Sequence, residues 1–108
     1  MDTERLLTEL ARSPDLAPFR ELMRPLVERD RERHSDLVRT LRVYFAAGAN
    51  VSEAADRLFL HRNSMLYRLE RIQKLTGLDL KDPGARLALQ LGLLTPEKGE
   101  KVDEIEHP

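Results

Sequence analysis

Val51-Ser52-Glu53-Ala54-Ala55-Asp56-Arg57-Leu58-Phe59-Leu60-His61-Arg62-Asn63-Ser64-Met65-Leu66-Tyr67-Arg68-Leu69 reads as two helices joined by a tight turn. Two helices that cross closely need a small residue at the crossing, and Ala54-Ala55 supply it. The turn needs an apolar residue on each side, and Leu58 and Leu60 stand there. Ser52 is a candidate N-cap for the first helix, which runs from Glu53 to about Phe59. The second starts near Arg62 and ends at Thr76-Gly77, where glycine suits a left-handed cap. Met65, Leu69 and Ile72 fall at i, i+4 and i+7 of this second helix and form its buried stripe. The opposite stripe is Ser64, Tyr67, Arg68, Arg71 and Lys74.

The same helical period continues outward in both directions, with no strand-like alternation. Before the motif, Ser35 is a plausible N-cap for a helix burying Leu37, Val38, Leu41, Tyr44 and Phe45 and ending at Gly48-Ala49-Asn50. Further back, Leu6, Leu7 and Leu10 mark a short amphipathic helix stopped by Ser13-Pro14. A helix beginning near Pro18 carries Phe19, Leu22, Met23, Leu26 and Val27, and Pro25 predicts a kink or break within it. Residues 28–34 are almost all charged, and their alternating signs read as a solvated helix surface or connector rather than a basic arm. After the motif, Asp82-Pro83 pairs an N-cap with a first-position proline and opens a last helix with Leu87, Leu89, Leu91, Leu93 and Leu94 in its apolar set. The chain is therefore expected to be all-α: a small helical bundle containing a helix-turn-helix, with flanking N-terminal helices and one C-terminal helix. Its expected divisions are N-terminal helices over 1–33, serving as a dimerisation or linker segment, the helix-turn-helix domain over 34–95, and a disordered acidic tail over 96–108.

Bulk properties set limits on function. With 108 residues there is room for one domain. Cysteine is absent, which removes disulfides and thiolate metal sites and favours a cytoplasmic setting. No apolar run spans a membrane, and Met1-Asp2-Thr3-Glu4 lacks the opening of a signal peptide. The net charge of −1 does not announce a nucleic-acid partner. Its distribution does: Arg57, Arg62, Arg68, Arg71 and Lys74 face only Glu70 within their span. His34, His61 and His107 have no metal or triad spacing, and no glycine-rich phosphate loop is present, so neither enzyme activity nor a cofactor is expected.

The exposed stripe has the chemistry of a helix placed in the major groove of double-stranded DNA, whose width admits an α-helix. Arg62 or Arg68 can contact guanine through both ends of the guanidinium. Asn63 either pairs with adenine or caps its helix. The hydroxyls of Ser64 and Tyr67 suit a phosphate or a base, though Tyr67 can equally lie on the core with its hydroxyl at the rim. Arg71 and Lys74, further along, suit phosphates. His61 is either part of this surface or a turn residue satisfied by backbone, and Leu66 sits at the core edge or against a thymine methyl. A helical protein–protein interaction module without DNA binding is the competing reading, since basic helix faces are often merely solvated.

The string from Ala54-Ala55 through Leu58-Phe59-Leu60-His61-Arg62-Asn63-Ser64 and Tyr67-Arg68-Leu69 to Ile72, Thr76-Gly77 and Asp82-Pro83 resembles the C-terminal helix-turn-helix domain of the PucR/CdaR family of bacterial transcriptional regulators. The run His-Arg-Asn-(Thr/Ser)-x-x-Tyr-Arg-Leu is far more specific than a generic helix-turn-helix pattern. Ser64 stands where the family usually has threonine, Met65 replaces a branched aliphatic, and Gly92 replaces alanine, a change that would loosen the last helix by about 1 kcal/mol. The resemblance implies sequence-specific DNA binding, with His61, Arg62, Asn63, Ser64, Tyr67, Arg68, Arg71 and Lys74 at the interface. Similarity in kind to the DNA-binding half of Fis implies a homodimer. Family membership also implies an upstream sensory domain if the chain is a fragment, with a free-standing short relative as the alternative.

Overall fold

A computed structural model describes residues 2–95, so the acidic tail expected over 96–108 lies outside the described residues. The described residues form α1 (Thr3–Ala11), a 3-10 turn (Pro14–Leu16), α2 (Ala17–Arg33), α3 (Leu37–Ala46), α4 (Val51–Arg57), α5 (Arg62–Thr76) and α6 (Pro83–Leu94). No strand occurs among them, as the all-α expectation requires. The helix-turn-helix is α4–α5.

Capping explains most of the boundaries. Asp82 accepts from the Ala85 N–H at 2.8 Å, with Pro83 in the first helical position, as anticipated. Gly77 closes α5 in the left-handed conformation at φ 75°. Two caps differ from the sequence-based expectation. Asn50, not Ser52, caps α4, its side-chain oxygen accepting from the Glu53 N–H at 2.9 Å. Asparagine and serine cap about equally well, so α4 starts two residues early and ends at Arg57. At α3 the cap is remote: the Asp30 carboxylate, on α2, accepts from the N–H groups of Leu37 at 2.7 Å and Val38 at 3.0 Å. Ser35 donates its hydroxyl to the same carboxylate at 2.8 Å rather than capping α3 itself.

Of the kink or break expected at Pro25, the break does not occur. α2 runs unbroken from Ala17 to Arg33. Proline removes one N–H from its turn, but Met23 and Leu26 on either side of it are buried, so packing holds the helix together. α2 packs on α6, α3 and α5. The single core joins Met23 and Leu26 to Leu37, Val38, Leu41 and Tyr44 of α3, Ala54 and Ala55 of α4, Met65, Leu69 and Ile72 of α5, and Leu89 of α6. Residues on both sides of position 33/34 thus share this core. α6 buries Ala85, Leu89 and Gly92, at i, i+4 and i+7, and leaves Leu87 exposed, against expectation. α1 packs on α6 but has no fully buried residue.

Candidate nucleic-acid interface

The α4–α5 unit is built around the two alanines. Ala54 is fully buried and Ala55 nearly so, which lets α5 approach the α4 backbone. The chain then reverses through Leu58, Phe59 and Leu60. Leu58 is buried, and the Leu60 N–H donates to the Ala55 carbonyl at 2.9 Å. Phe59 makes the reversal in the left-handed region at φ 58° with its ring 93% exposed. A phenylalanine there costs about 1–2 kcal/mol of backbone strain relative to glycine.

His61 is the N-cap residue of α5, with extended backbone and no side-chain capping bond; its carbonyl accepts from Ser64 and Met65. Arg62, Asn63 and Ser64 form the first turn, and their side chains are exposed. Asn63 therefore does not cap the helix. Met65, Leu69 and Ile72 point into the core, as their spacing demands. On the other side Tyr67 and Lys74 are exposed, and Leu66 lies at the surface next to Met65. Tyr67 is thus on the solvent side, not the core.

Tyr67 and Arg71 act as a pair. The Arg71 Nη2 donates to the Tyr67 hydroxyl oxygen at 2.8 Å, and its guanidinium lies 5.4 Å from the ring centroid. The hydrogen bond and charge of Arg71 hold the phenol below its ordinary pKa, with a smaller contribution from Arg29. Arg68 departs from the fully solvent-facing placement expected of it. It is half-buried, and its Nη1 donates at 3.0 Å to the hydroxyl oxygen of Thr40, a fully buried residue of α3. Arg57 is also engaged, in an exposed ion pair with Glu53 at 3.0 Å. Arg62 and Lys74 make no hydrogen bond or ion pair with any described residue.

Beside this face lies a cleft of about 560 Å³. One wall is α5, through Asn63, Ser64, Tyr67, Arg68 and Arg71; the other is the end of α2, through Arg29 and Arg33, and Ser35, Leu37 and Leu60 complete the lining. Arg29 and Arg33 belong to the run that reads from the sequence as a mixed-charge surface. Their i, i+4 spacing places them on one side of a helix, but only the packing of α2 against α5 says what that side faces.

Comparison with known proteins meets this geometry at the same residues. The family described as the PucR C-terminal helix-turn-helix domain matches residues 37–95, from the start of α3 to the end of α6. The chain belongs to the PucR family. Among curated proteins, this PucR-type domain is 40% identical over 75 residues to the purine catabolism regulatory protein of Bacillus subtilis, covering 69% of this chain and 14% of that protein. It is 39% identical over 79 residues to the carbohydrate diacid regulator of Escherichia coli, covering 72% of this chain and 20% of the relative. It is 34% identical over 73 residues to the proline-responsive transcriptional activator PutR of Bacillus subtilis, covering 68% and 18%. The PucR-type chain thus spans a fifth or less of the length of these relatives. No solved structure matches it. The family is a DNA-binding helix-turn-helix of bacterial transcriptional regulators rather than an enzyme family. No helix among the described residues is long and apolar enough to cross a membrane.

Proposed function

We propose that this domain directs a bacterial transcriptional regulator to specific sites on double-stranded DNA in the cytoplasm by placing α5 in the major groove. One observation carries the reading: α5 buries Met65, Leu69 and Ile72 while presenting Arg62, Asn63 and Ser64, unpaired with described residues, from its first turn. That turn is where this docking mode puts base-reading side chains. Arg62 is the guanine reader, because Arg68 is already held by Thr40. Asn63 reads adenine, with His61 and Ser64 beside it at the groove edge. Tyr67, Arg71 and Lys74 take phosphates further along the helix, and Arg68 stiffens the face from behind. Selection from random duplexes tests this: one motif should emerge and bind at least about 10³-fold better than unrelated DNA. A domain serving only as a protein dock would enrich none.

The domain acts as a homodimer. A single module covers only about 600–1,000 Å² of protein surface, too little for tight specific binding. The surface available for pairing differs from that expected of the N-terminal helices as a whole, since Met23 and Leu26 of α2 are committed to the core and Leu22 packs against it. What remains is α1, whose Leu6, Leu7 and Leu10 are 50%, 43% and 38% exposed although they share one apolar stripe. In a longer regulator the sensory domain lies upstream of α1, so pairing there would join the two activities.

A further inference from the structure

Beside the face of α5, whose groove docking proposed above is the premise here, the end of α2 presents a second basic surface. Arg29 and Arg33 stand one helical turn apart and form the α2 wall of the cleft beside Tyr67 and Arg71. The acids of the same run are directed elsewhere. Asp30 accepts from the start of α3, Glu28 lies 4.0 Å from Arg24 on another side of α2, and Glu32 is exposed outside the cleft. Among the described residues lining the cleft there are four arginines and no carboxylate. Like charges drawn together in this way repel one another until an anion enters between them.

The position of the cleft identifies the anion. A helix with its side chains is about 10–12 Å across and fills a major groove about 12 Å wide. A wall standing beside such a helix therefore meets the sugar–phosphate strand that borders the groove, not the bases. We infer that Arg29 and Arg33 clamp a backbone phosphate of that bordering strand, extending the DNA interface from the helix-turn-helix onto α2. The planar guanidinium can approach the phosphate with two parallel N–H donors, and Arg71, braced against Tyr67, closes the site from the α5 side.

The test compares the wild-type chain with Arg29→Ala, Arg33→Ala and the double variant, by fluorescence anisotropy on the selected duplex and on an unrelated one between 50 and 200 mM salt. The double variant should bind both duplexes more weakly, with sequence preference unchanged. Its log–log salt slope should be shallower by about 0.9 for each phosphate that is no longer neutralised, so that raising the salt weakens the wild type about threefold more than the variant. Arg33 is solvent-exposed, so Arg33→Ala gives the answer alone if Arg29→Ala lowers the melting temperature. Wild-type affinity and slope in the variants would overturn the inference while leaving α5 docking intact, and so would a weakening confined to the selected duplex. Absence of any sequence preference in the wild type would instead remove the docking reading itself.

Discussion

Arg68 and Lys74 lie on the same stripe of α5 in a helical projection, yet they do different work. Lys74 is exposed and makes no polar contact with a described residue, so Lys74→Ala should leave the melt unchanged and weaken all duplexes alike with a shallower salt slope. Arg68 is tied to buried Thr40 at 3.0 Å, so Arg68→Ala should cost stability as well, about 1 kcal/mol, or roughly 4–8 °C in melting temperature. Thermal denaturation followed by circular dichroism separates the two, and equal melts for both variants would show that the Thr40 bond is worth nothing. The buried side of α5 was legible from spacing alone, because Met65, Leu69 and Ile72 repeat with the helix. The role of Arg68 was not, because a long cationic side chain at the boundary of a stripe can turn either way and its partner lies 28 residues away in sequence.

Among the helices, the least legible features are those set by a neighbour. Gly92 reads as a weak point in α6, since alanine there would favour the helix by about 1 kcal/mol. In the fold it is where α6 meets α2: a Cβ on Gly92 would lie 2.6 Å from Met23 Cγ and 2.9 Å from the Phe19 carbonyl oxygen. Methionine can move aside, but the backbone carbonyl cannot without displacing α2. Gly92→Ala is therefore expected to destabilise by about 1–3 kcal/mol despite its propensity gain, and a raised melting temperature would refute the crossing. Asp30 behaves similarly. It sits in a run that looks uniformly solvated, yet it holds the first turn of α3 against the end of α2. Asp30→Ala should cost about 1–2 kcal/mol, read in the same melts, by removing that cap. Inside the motif the small pair was readable directly, and Ala55→Leu should overpack the α4–α5 crossing by about 1–3 kcal/mol. Pro25 does not break α2 because local propensity is outweighed where Met23 and Leu26 beside it are buried.

At the scale of the whole molecule, the all-α architecture and the helix-turn-helix followed from periodicity, while the membership of α2 in the common core required the tertiary packing. That membership moves the proposed pairing surface onto α1. Leu7→Glu should thus give monomers in sedimentation at tens of micromolar while changing the melt little, since no residue of α1 is fully buried within its own chain. A wild-type chain that is already monomeric there would exclude a stable preformed dimer through α1. If the pair forms, its operator is an inverted repeat with half-sites about 10 base pairs apart, the spacing that brings two recognition helices into successive major grooves. The central claim is that the first turn of α5 reads bases, and it is tested most directly by measuring sequence preference, base by base across the selected site, for Arg62→Ala, Asn63→Ala and Ser64→Ala. All three are exposed, so their melts should match the wild type. At least one, Arg62→Ala first, should relax the preference at a single position of each half-site at a cost of about 1–3 kcal/mol. Undiminished preference at every position in all three variants would contradict the placement of α5 in the groove.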